Sequence, residues 1–449
     1  MFRKTFLRYL TVSDLTDRMD SFEREMIELK SFRNAVEIAA PNVAAEAKRA
    51  TEARLKECKS NASHLDIPLT AGEFTVLNQF YAAQKLKPIP MENLMYISKP
   101  NDLLAHAIAV HREYLVRMAK RARQLSLAPY GLSQMPSILE LKKYYQLSFH
   151  DFRSAATPKT TDDLIQFDNL VRRVFLRHYN VSTLLCEGMR ELSQREQWAT
   201  VNVHLRDAYP DLQVFFEKFC TERVKLRLLI GNYMYLSNQI LKMDPSTYKT
   251  DDPHNQTTQL LFSHAPEHFV GQISKKTSLV TLLKDAIASL QPTYDDAEIS
   301  LKIAGDPSLT FVGIPYIIHD IMSALLDDAI QSNLIRQELY GIPCSEIEVT
   351  LAQKQGNENF SFLVSDTAGG VPLESSDLML TCWSAYKLFE SESKRKHKYK
   401  TWTQSPIKLA YANCAARVFG GKMSYAAIEG YGCDRQVTFP SNGVLGYRI

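Results

Sequence analysis

The spacing of apolar residues divides the chain into a helical first half and a mixed second half. From residue 13 to about residue 154, apolar residues recur at intervals of three, four and seven, as at Leu104, Ile108 and Leu115. This period is typical of amphipathic helices. Further helices are predicted over residues 161–179, 182–192 and 211–242. Together these segments predict a helical bundle over residues 13–245.

The pattern changes after Met243, where polar residues and two prolines replace the apolar repeat. Low hydrophobicity with proline is typical of a linker, so we place a domain boundary at residues 246–260. Beyond it helices and strands alternate, which predicts an α/β sandwich over residues 261–449 and an α+β protein as a whole. The predicted helices are 279–290 and 315–335, and the predicted strands are 298–303, 309–312, 346–351 and 360–365.

Composition excludes several classes of protein. With 449 residues, of which 45% are hydrophobic and 23% charged, the chain is ordinary globular material and long enough for several domains. Its net charge of +3 is too small to indicate nucleic-acid or membrane binding, so any site for an acidic partner must be local. The seven cysteines form no CxxC pair, which predicts reduced thiols and no zinc. No apolar run is long enough to span a membrane.

The N-terminus carries basic residues without acidic ones. Arg3, Lys4 and Arg8 precede the first acidic residue, Asp14, and the apolar residues between them can share one helical face. This pattern resembles a mitochondrial presequence over residues 1–12. A plain basic N-terminus is the alternative, because further acidic residues follow at once.

The most informative motif lies at residues 361–372. Alternating residues end at Asp366 and are followed by Gly369, Gly370 and Pro372. A strand that runs into a glycine loop lets the backbone approach a ligand closely. An Asp followed by paired glycines is also common turn chemistry. The motif alone therefore leaves a nucleotide pocket and a simple turn equally open.

The order of these parts resembles the GHKL (Bergerat-type) ATPase fold, in which a helix with inward acidic residues precedes a strand that ends in the glycine loop. The helical first half narrows the resemblance to the mitochondrial protein kinases of pyruvate dehydrogenase and branched-chain 2-oxoacid dehydrogenase. Residues 177–181, Arg-His-Tyr-Asn-Val, resemble the family's Arg-His-x-Asn-Val turn. Residues 365–373 are similar to Ser-Asp-x-Gly-Gly-Gly-Val-Pro-Leu, with Ala368 in place of the first glycine. The resemblance spans roughly residues 70–440.

This resemblance implies ATP and Mg²⁺ as ligands. Asp366 would accept a hydrogen bond from the adenine amino group, and Gly369 and Gly370 would keep the loop thin enough for the base. Gly432 would shape the hairpin behind the ring, although a role in the turn itself is the favoured interpretation for it and for Gly430.

The phosphate end of the site departs from the family pattern. Where the family has Glu-x-x-Lys-Asn, this chain has Ala324 for the Glu, Asp327 for the Lys and Asp328 for the Asn. A methyl group cannot accept a proton, and losing a general base typically slows a reaction by about 100- to 10,000-fold. Asp328 still offers oxygen to a metal ion, and Asp320 or Asp327 are the candidate substitutes for the base. The favoured alternative places these adjacent acids on a solvated helix edge.

The lid segment also differs from the family pattern. The family's glycine-rich lid cradles phosphate with backbone amides, but this chain has no glycine between Cys382 and Ala416. Residues 390–406 instead form a basic lid loop, for which a solvated loop is one interpretation. A contact with RNA or another acidic partner is the other, because aromatic residues accompany the positive charges. The basic residues are Lys394, Arg395, Lys396, Lys398 and Lys400.

Three hypotheses for function follow. The preferred one is a catalytically degenerate kinase (a pseudokinase) in the mitochondrial matrix that serves as a binding or assembly component of a protein complex. The second is an active protein Ser/Thr kinase of a 2-oxoacid dehydrogenase complex, and the third is a nucleotide-binding regulator without phosphotransfer. The family extends past its last strand with a tail that supports dimerisation, whereas this chain ends at Ile449. The sequence therefore does not predict the family-style homodimer.

Overall fold

The fold was obtained as a computed structural model, which describes residues 71–87, 89–196, 205–242, 268–294, 300–353, 359–371, 376, 378–383 and 405–440. Four predicted features lie outside the described residues: the presequence over 1–12, the first part of the bundle, 13–70, the linker over 246–260 and most of the lid loop, 390–404. The predicted domain boundaries stay predictions. The described residues, which begin at residue 71, belong to one compact unit, Leu69–Ile449.

Helices make up the described part of the first half. They are α1 (Ala71–Ala83), α2 (Met91–Leu94), α3 (Pro100–Ser126), α4 (Pro136–Ser154), α5 (Asp163–Arg177), α6 (Val181–Arg195), α7 (Leu205–Ala208) and α8 (Pro210–Leu241). Proline occupies the first position of α3, α4 and α8, where its missing N–H has no helical partner to lose. The predicted helices over 161–179, 182–192 and 211–242 are confirmed as α5, α6 and α8.

The second half alternates helices and strands, which confirms the predicted α+β class. The helices are α9 (Leu279–Leu290), α10 (Pro315–Tyr340) and α11 (Ser405–Val418). The strands are β1 (Phe269–Val270), β2 (Ile273–Ser278), β3 (Leu301–Gly305), β4 (Thr310–Gly313), β5 (Ile347–Gln353), β6 (Asn359–Asp366), β7 (Lys422–Ile428) and β8 (Gly432–Pro440).

The strands form two sheets. A five-stranded sheet has the order β3-β5-β6-β8-β7, in which β3 and β5 are parallel and the other pairs antiparallel. A three-stranded sheet has the order β1-β2-β4. The sequence did not predict β1 and β2. The pairing of β2 with β4 shifts between Ser274 and Thr277, which interrupts the two-residue period by which a strand is recognised.

The boundaries of several elements differ from the prediction, as α10 and β3 illustrate. Helix α10 continues past Ile335 to Tyr340 and ends at Gly341, whose φ of 64° is the left-handed conformation typical of a helix C-terminus. Strand β3 begins at Leu301, three residues after the predicted start.

The packing of α10, α8 and α11 positions the central sheet. Strand β6 alternates buried and half-buried residues, and its buried residues face the core together with those of α10. Helix α8 carries the bundle into contact with α11, where Arg417 pairs with Glu217 at 3.1 Å. Among the described helices, none combines the length and the low polarity that crossing a membrane requires.

Candidate functional site

The loop after β6 and the hairpin between β7 and β8 form one structure. The N–H of Gly369 donates to the carbonyl of Tyr431 at 3.0 Å, and the N–H of Gly430 donates to the carbonyl of Gly369 at 2.8 Å. The side chain of Arg336 on α10 donates to the carbonyl of Thr367. The loop that follows Asp366 is therefore held by two backbone hydrogen bonds to the hairpin and by one side-chain donor from α10.

Two glycines permit this close approach. A Cβ on Gly432 would lie 1.9 Å from the carbonyl oxygen of Asp366, and one on Gly370 would lie 2.2 Å from that of Ile428. Gly369 and Gly430 have positive φ angles, 96° and 82°, but open space around them. Gly370 and Gly432 thus serve the packing of loop against hairpin, and Gly369 is the predicted ligand-side glycine that has room beside it.

Asp366 ends β6 as predicted, but its carboxylate is already engaged. One oxygen accepts the N–H of Ala368 at 2.8 Å, and the other accepts Nη1 of Arg435. Both side chains of this ion pair are 0% exposed. Each oxygen of Asp366 thus already accepts a hydrogen bond from the chain itself, and the side chain has no exposed surface that an adenine amino group could reach.

Arg435 also binds Asp328, the predicted metal ligand. Its Nε lies 2.5 Å from a carboxylate oxygen of Asp328, and its Nη2 donates to Ser332 at 3.1 Å. The hydroxyl of Tyr425 donates to the same Asp328 oxygen at 3.4 Å, and the Tyr425 ring lies 5.3 Å from the guanidinium. The role of Arg435 was not predicted from the sequence. Its signal was a charged residue at an inward position of an otherwise alternating strand.

These carboxylates hold Arg435 firmly in its charged form. Burial alone would lower the pKa of Arg435, but the carboxylates of Asp328 and Asp366 raise it above its ordinary value. Burial raises the pKa of Asp328, and the nearby guanidinium opposes that rise. The cluster is thus an internal ion pair network in which one cation serves two anions.

Asp327 belongs to a separate network. Its side chain is 2% exposed and accepts hydrogen bonds from the hydroxyl of Tyr294 and, at 2.8 Å, from Nζ of Lys408. Gln331 donates to the same Tyr294 hydroxyl at 3.0 Å. The expectation of a solvated helix edge at Asp327 and Asp328 is wrong, because α10 turns both carboxylates towards partners on other elements.

Ala324 and Asp320 lie on the face of α10 that leads to Asp328, each one turn from the next. Ala324 is buried, so only its methyl group stands at the position that the resemblance assigns to the base. The side chain of Asp320 is 35% exposed and lies 3.5 Å from Nδ1 of His319. Asp320 is therefore the predicted substitute base with access to solvent, whereas Asp327 is enclosed.

The structure thus brings together Asp366 and Asp328 through Arg435 and keeps Asp327 with Lys408. Such an arrangement does not fit the implied ATP and Mg²⁺ roles of Asp366 and Asp328, since a guanidinium stands between their carboxylates. Within the described ranges, no three His, Cys, Asp or Glu side chains converge as a metal site. The six described cysteines are free thiols, as predicted, and the five basic lid residues lie outside the description.

Comparisons with known proteins agree with the fold. Residues 88–274 match the family model described as mitochondrial branched-chain alpha-ketoacid dehydrogenase kinase. The mitochondrial [pyruvate dehydrogenase (acetyl-transferring)] kinase of Arabidopsis thaliana is 26% identical over 354 residues, which cover 75% of this chain and 85% of that protein. The human mitochondrial isozyme 1 is 23% identical, covering 79% of this chain and 77% of that protein. The mouse mitochondrial isozyme 4 is 22% identical, covering 79% and 81%.

Proposed function

This chain belongs to the family of mitochondrial protein kinases that act on 2-oxoacid dehydrogenases, and from that premise we propose that it is a catalytically degenerate member. In this proposal the chain is located in the mitochondrion, in the matrix, and serves as a binding or assembly component of a protein complex. The location is supported by the relatives, which are named as mitochondrial kinases.

The observation that carries the proposal is the part of α10 to which the family resemblance assigns phosphate transfer, residues 324–328. Transfer of a phosphoryl group to a hydroxyl needs a side chain that accepts or orients the hydroxyl proton. Ala324 offers a buried methyl group there. The next acid along, Asp327, is held by Tyr294 and Lys408 and would have to leave both partners before it could act as a base.

A binding role is supported by what the chain retains. The helices of the first half and the five-stranded sheet share a continuous buried core, in which α8 joins the two halves. The altered residues of the reaction site lie on α10, whereas the rest of the fold is kept. The outer surface of the helices and of the sheet therefore remains available for a protein partner. The contact of the basic lid residues 394–400 with RNA or an acidic partner stays a prediction.

One observation favours the second candidate function, an active protein Ser/Thr kinase. Asp320 is partly exposed and lies one turn before Ala324 on the same face of α10, from which it could accept a proton. The nucleotide-binding regulator is the third candidate, and it rests on the position of Asp366 at the end of β6.

A phosphate-transfer assay tests the proposal directly. The full chain is incubated with γ-labelled ATP, Mg²⁺ and purified 2-oxoacid dehydrogenase complex, beside an active relative as the positive control. We expect no transfer above the protein-free blank. Transfer by the wild type that is lost in Asp320→Asn and kept in Asp306→Asn, an exposed acid outside the site, would establish the active kinase instead.

The assembly role needs its own measurement. Mitochondrial lysate is separated by size on a density gradient, and the chain is followed by an affinity tag. We expect it to migrate with a complex much heavier than its own 51.1 kDa, and to do so in the presence and absence of ATP. Migration only at the size of the free chain would contradict the assembly role.

A further inference from the structure

Arg435 occupies a position in β8 at which the strand otherwise places apolar side chains. Its neighbours at two-residue spacing, Cys433 and Val437, are buried, and so is Phe439 beyond them. Taking an unpaired guanidinium out of water is strongly unfavourable. An arginine is therefore stable at this position only because the surrounding elements supply partners for it.

The partners of Arg435 lie on two other elements and on β8 itself, and they use most of its donors. A guanidinium has five N–H groups in a planar fork. Nε reaches Asp328 on α10, Nη1 reaches Asp366 at the end of β6, and Nη2 reaches Ser332, again on α10. Nη1 also lies 3.4 Å from the carbonyl of Cys433. Together these contacts form a complete cation site whose cation is part of the chain.

We propose that Arg435 is a built-in ligand of this pocket, which fills the positions of both the adenine amino group and the metal ion and so excludes adenine nucleotides. This inference deepens the proposed function and rests on it for the identity of the pocket. It makes Arg435 the residue that determines what Asp366 and Asp328 can bind.

The cost of separating Arg435 from its two carboxylates explains why a nucleotide does not displace it. To free Asp366, the guanidinium would have to leave two carboxylates, one of which is fully enclosed. Breaking a buried ion pair by moving one partner away is strongly unfavourable. The penalty corresponds to a loss of about 100-fold or more in nucleotide affinity. A magnesium ion beside Asp328 would in addition be repelled by the guanidinium, which keeps its charge.

Removal and replacement of the guanidinium test the proposal. The variant Arg435→Ala keeps Cβ and loses the atoms that ethylguanidinium contains. The probe is therefore ethylguanidinium chloride, added in the millimolar range to the full chain while thermal unfolding is recorded. We expect Arg435→Ala to unfold at a lower temperature than the wild type, and ethylguanidinium to raise that temperature in a saturable manner, with no effect on the wild type.

Two controls define specificity. Ethylammonium has the same charge without the planar fork, so it should stabilise Arg435→Ala much less. Arg417→Ala removes an arginine from the exposed ion pair with Glu217, which leaves no enclosed cavity, so ethylguanidinium should not stabilise it. Equal effects of ethylguanidinium on all three proteins, or no effect on Arg435→Ala, would overturn the proposal.

Wild-type protein with ATP and Mg²⁺ supplies the second measurement. We expect no change in its unfolding temperature, because the pocket is filled from within. Stabilisation by MgATP without phosphate transfer would overturn this inference and leave the degenerate-kinase proposal standing. Phosphate transfer would overturn the proposed function itself.

A further variant covers the case in which Arg435→Ala does not fold. Combining Arg435→Ala with Asp328→Asn and Asp366→Asn removes all three charges from the cluster. We expect this triple variant to fold, because its buried groups are neutral, and to show no response to ethylguanidinium. If the triple variant also fails to fold, the charges are not the cause and the proposal is overturned.

Discussion

At the scale of single residues, burial controls the protonation of histidines in the helical bundle. His106 of α3 is buried beside the ring of Tyr233, with 6.1 Å between ring centroids. Its Nε2 has no hydrogen-bond partner among the described residues. Burial lowers the pKa of His106 from 6.5 to about 4, because a charged imidazole would lose its hydration without gaining a partner. The pKa values of His111 and His178 are lowered by burial too.

A loss of stability in mild acid follows from His106. Below pH 6.5 His106 binds a proton in the unfolded chain, whereas in the folded chain it binds one only near pH 4. The free energy of unfolding therefore decreases as the pH falls from 6.5 to 4, and it is not reduced above pH 6.5. The share of His106 amounts to about 2 kcal/mol between pH 7 and pH 5. Urea unfolding at both pH values should show a smaller drop for His106→Leu than for the wild type. Equal drops in the two proteins would contradict the assignment.

The same scale shows what the sequence could and could not predict about the site. Asp366 was predictable because its place depends on neighbours along the chain: an alternating strand before it and glycines after it. The occupation of Asp366 and Asp328 by Arg435 depends on three elements that meet only in the fold. The enclosure of Asp327 by Tyr294 and Lys408 is equally non-local, so the local pattern of two adjacent acids suggested a solvated edge.

At the scale of elements, the loop after β6 depends on the hairpin that supports it. Gly430 and Gly432 lie on that hairpin but face different constraints. Gly430 requires a positive φ and has open space beside it, whereas Gly432 has the carbonyl of Asp366 where a Cβ would be. The first constraint is local strain, and the second is a collision between two backbones.

Alanine substitutions should separate these constraints. Gly430→Ala is expected to cost about 1–2 kcal/mol, the strain of a left-handed alanine. Gly432→Ala is expected to cost more, because β8 and the end of β6 must move apart to accept the methyl group. Denaturant unfolding of the two variants beside the wild type gives the comparison. A cost for Gly432→Ala equal to or below that of Gly430→Ala would show that the hairpin yields easily.

Elements with a regular period were predictable, and interrupted ones were not. Helix α9 was predicted at its observed bounds, because its apolar face repeats without a break. Strand β2 was missed, since Lys275 and Lys276 are both exposed beside its irregular pairing. The end of α10 was placed too early although Gly341, a typical residue after a helix end, marks it in the sequence.

At the scale of the whole molecule, α8 connects the bundle with the sheet region. Phe219 at its middle is buried and stacks on Phe215, with ring centroids 6.0 Å apart. On the same helix, Gln213 accepts the N–H of Cys382 at 2.9 Å and Glu217 pairs with Arg417. Because this helix contributes to the buried core that the two halves share, we expect them to unfold together.

Phe219→Ala tests this coupling. Truncation of a buried phenylalanine costs about 3–5 kcal/mol. If the protein unfolds cooperatively, the free energy of unfolding decreases by the same amount in every element. Hydrogen exchange measured by mass spectrometry should show protection of β6 and β8 falling by the same free energy as protection of α8. Leu127→Ala, at an exposed position, serves as the control that leaves both unchanged. Unchanged exchange in β8 alongside a loss in α8 would indicate two independent folding units.

The position of Arg435 within the sheet has a consequence for how the chain folds. Strand β8 is paired on both sides, with Arg435 opposite Val364 of β6 and Tyr425 of β7. A slip by one residue would reverse the faces of every β8 side chain, which moves the guanidinium away from the core and leaves Asp328 and Asp366 enclosed without a cation. Misaligned sheets are therefore unstable by several kcal/mol relative to the native one. The ion cluster therefore favours a single register of the central strands during folding. This effect on folding does not depend on nucleotide binding.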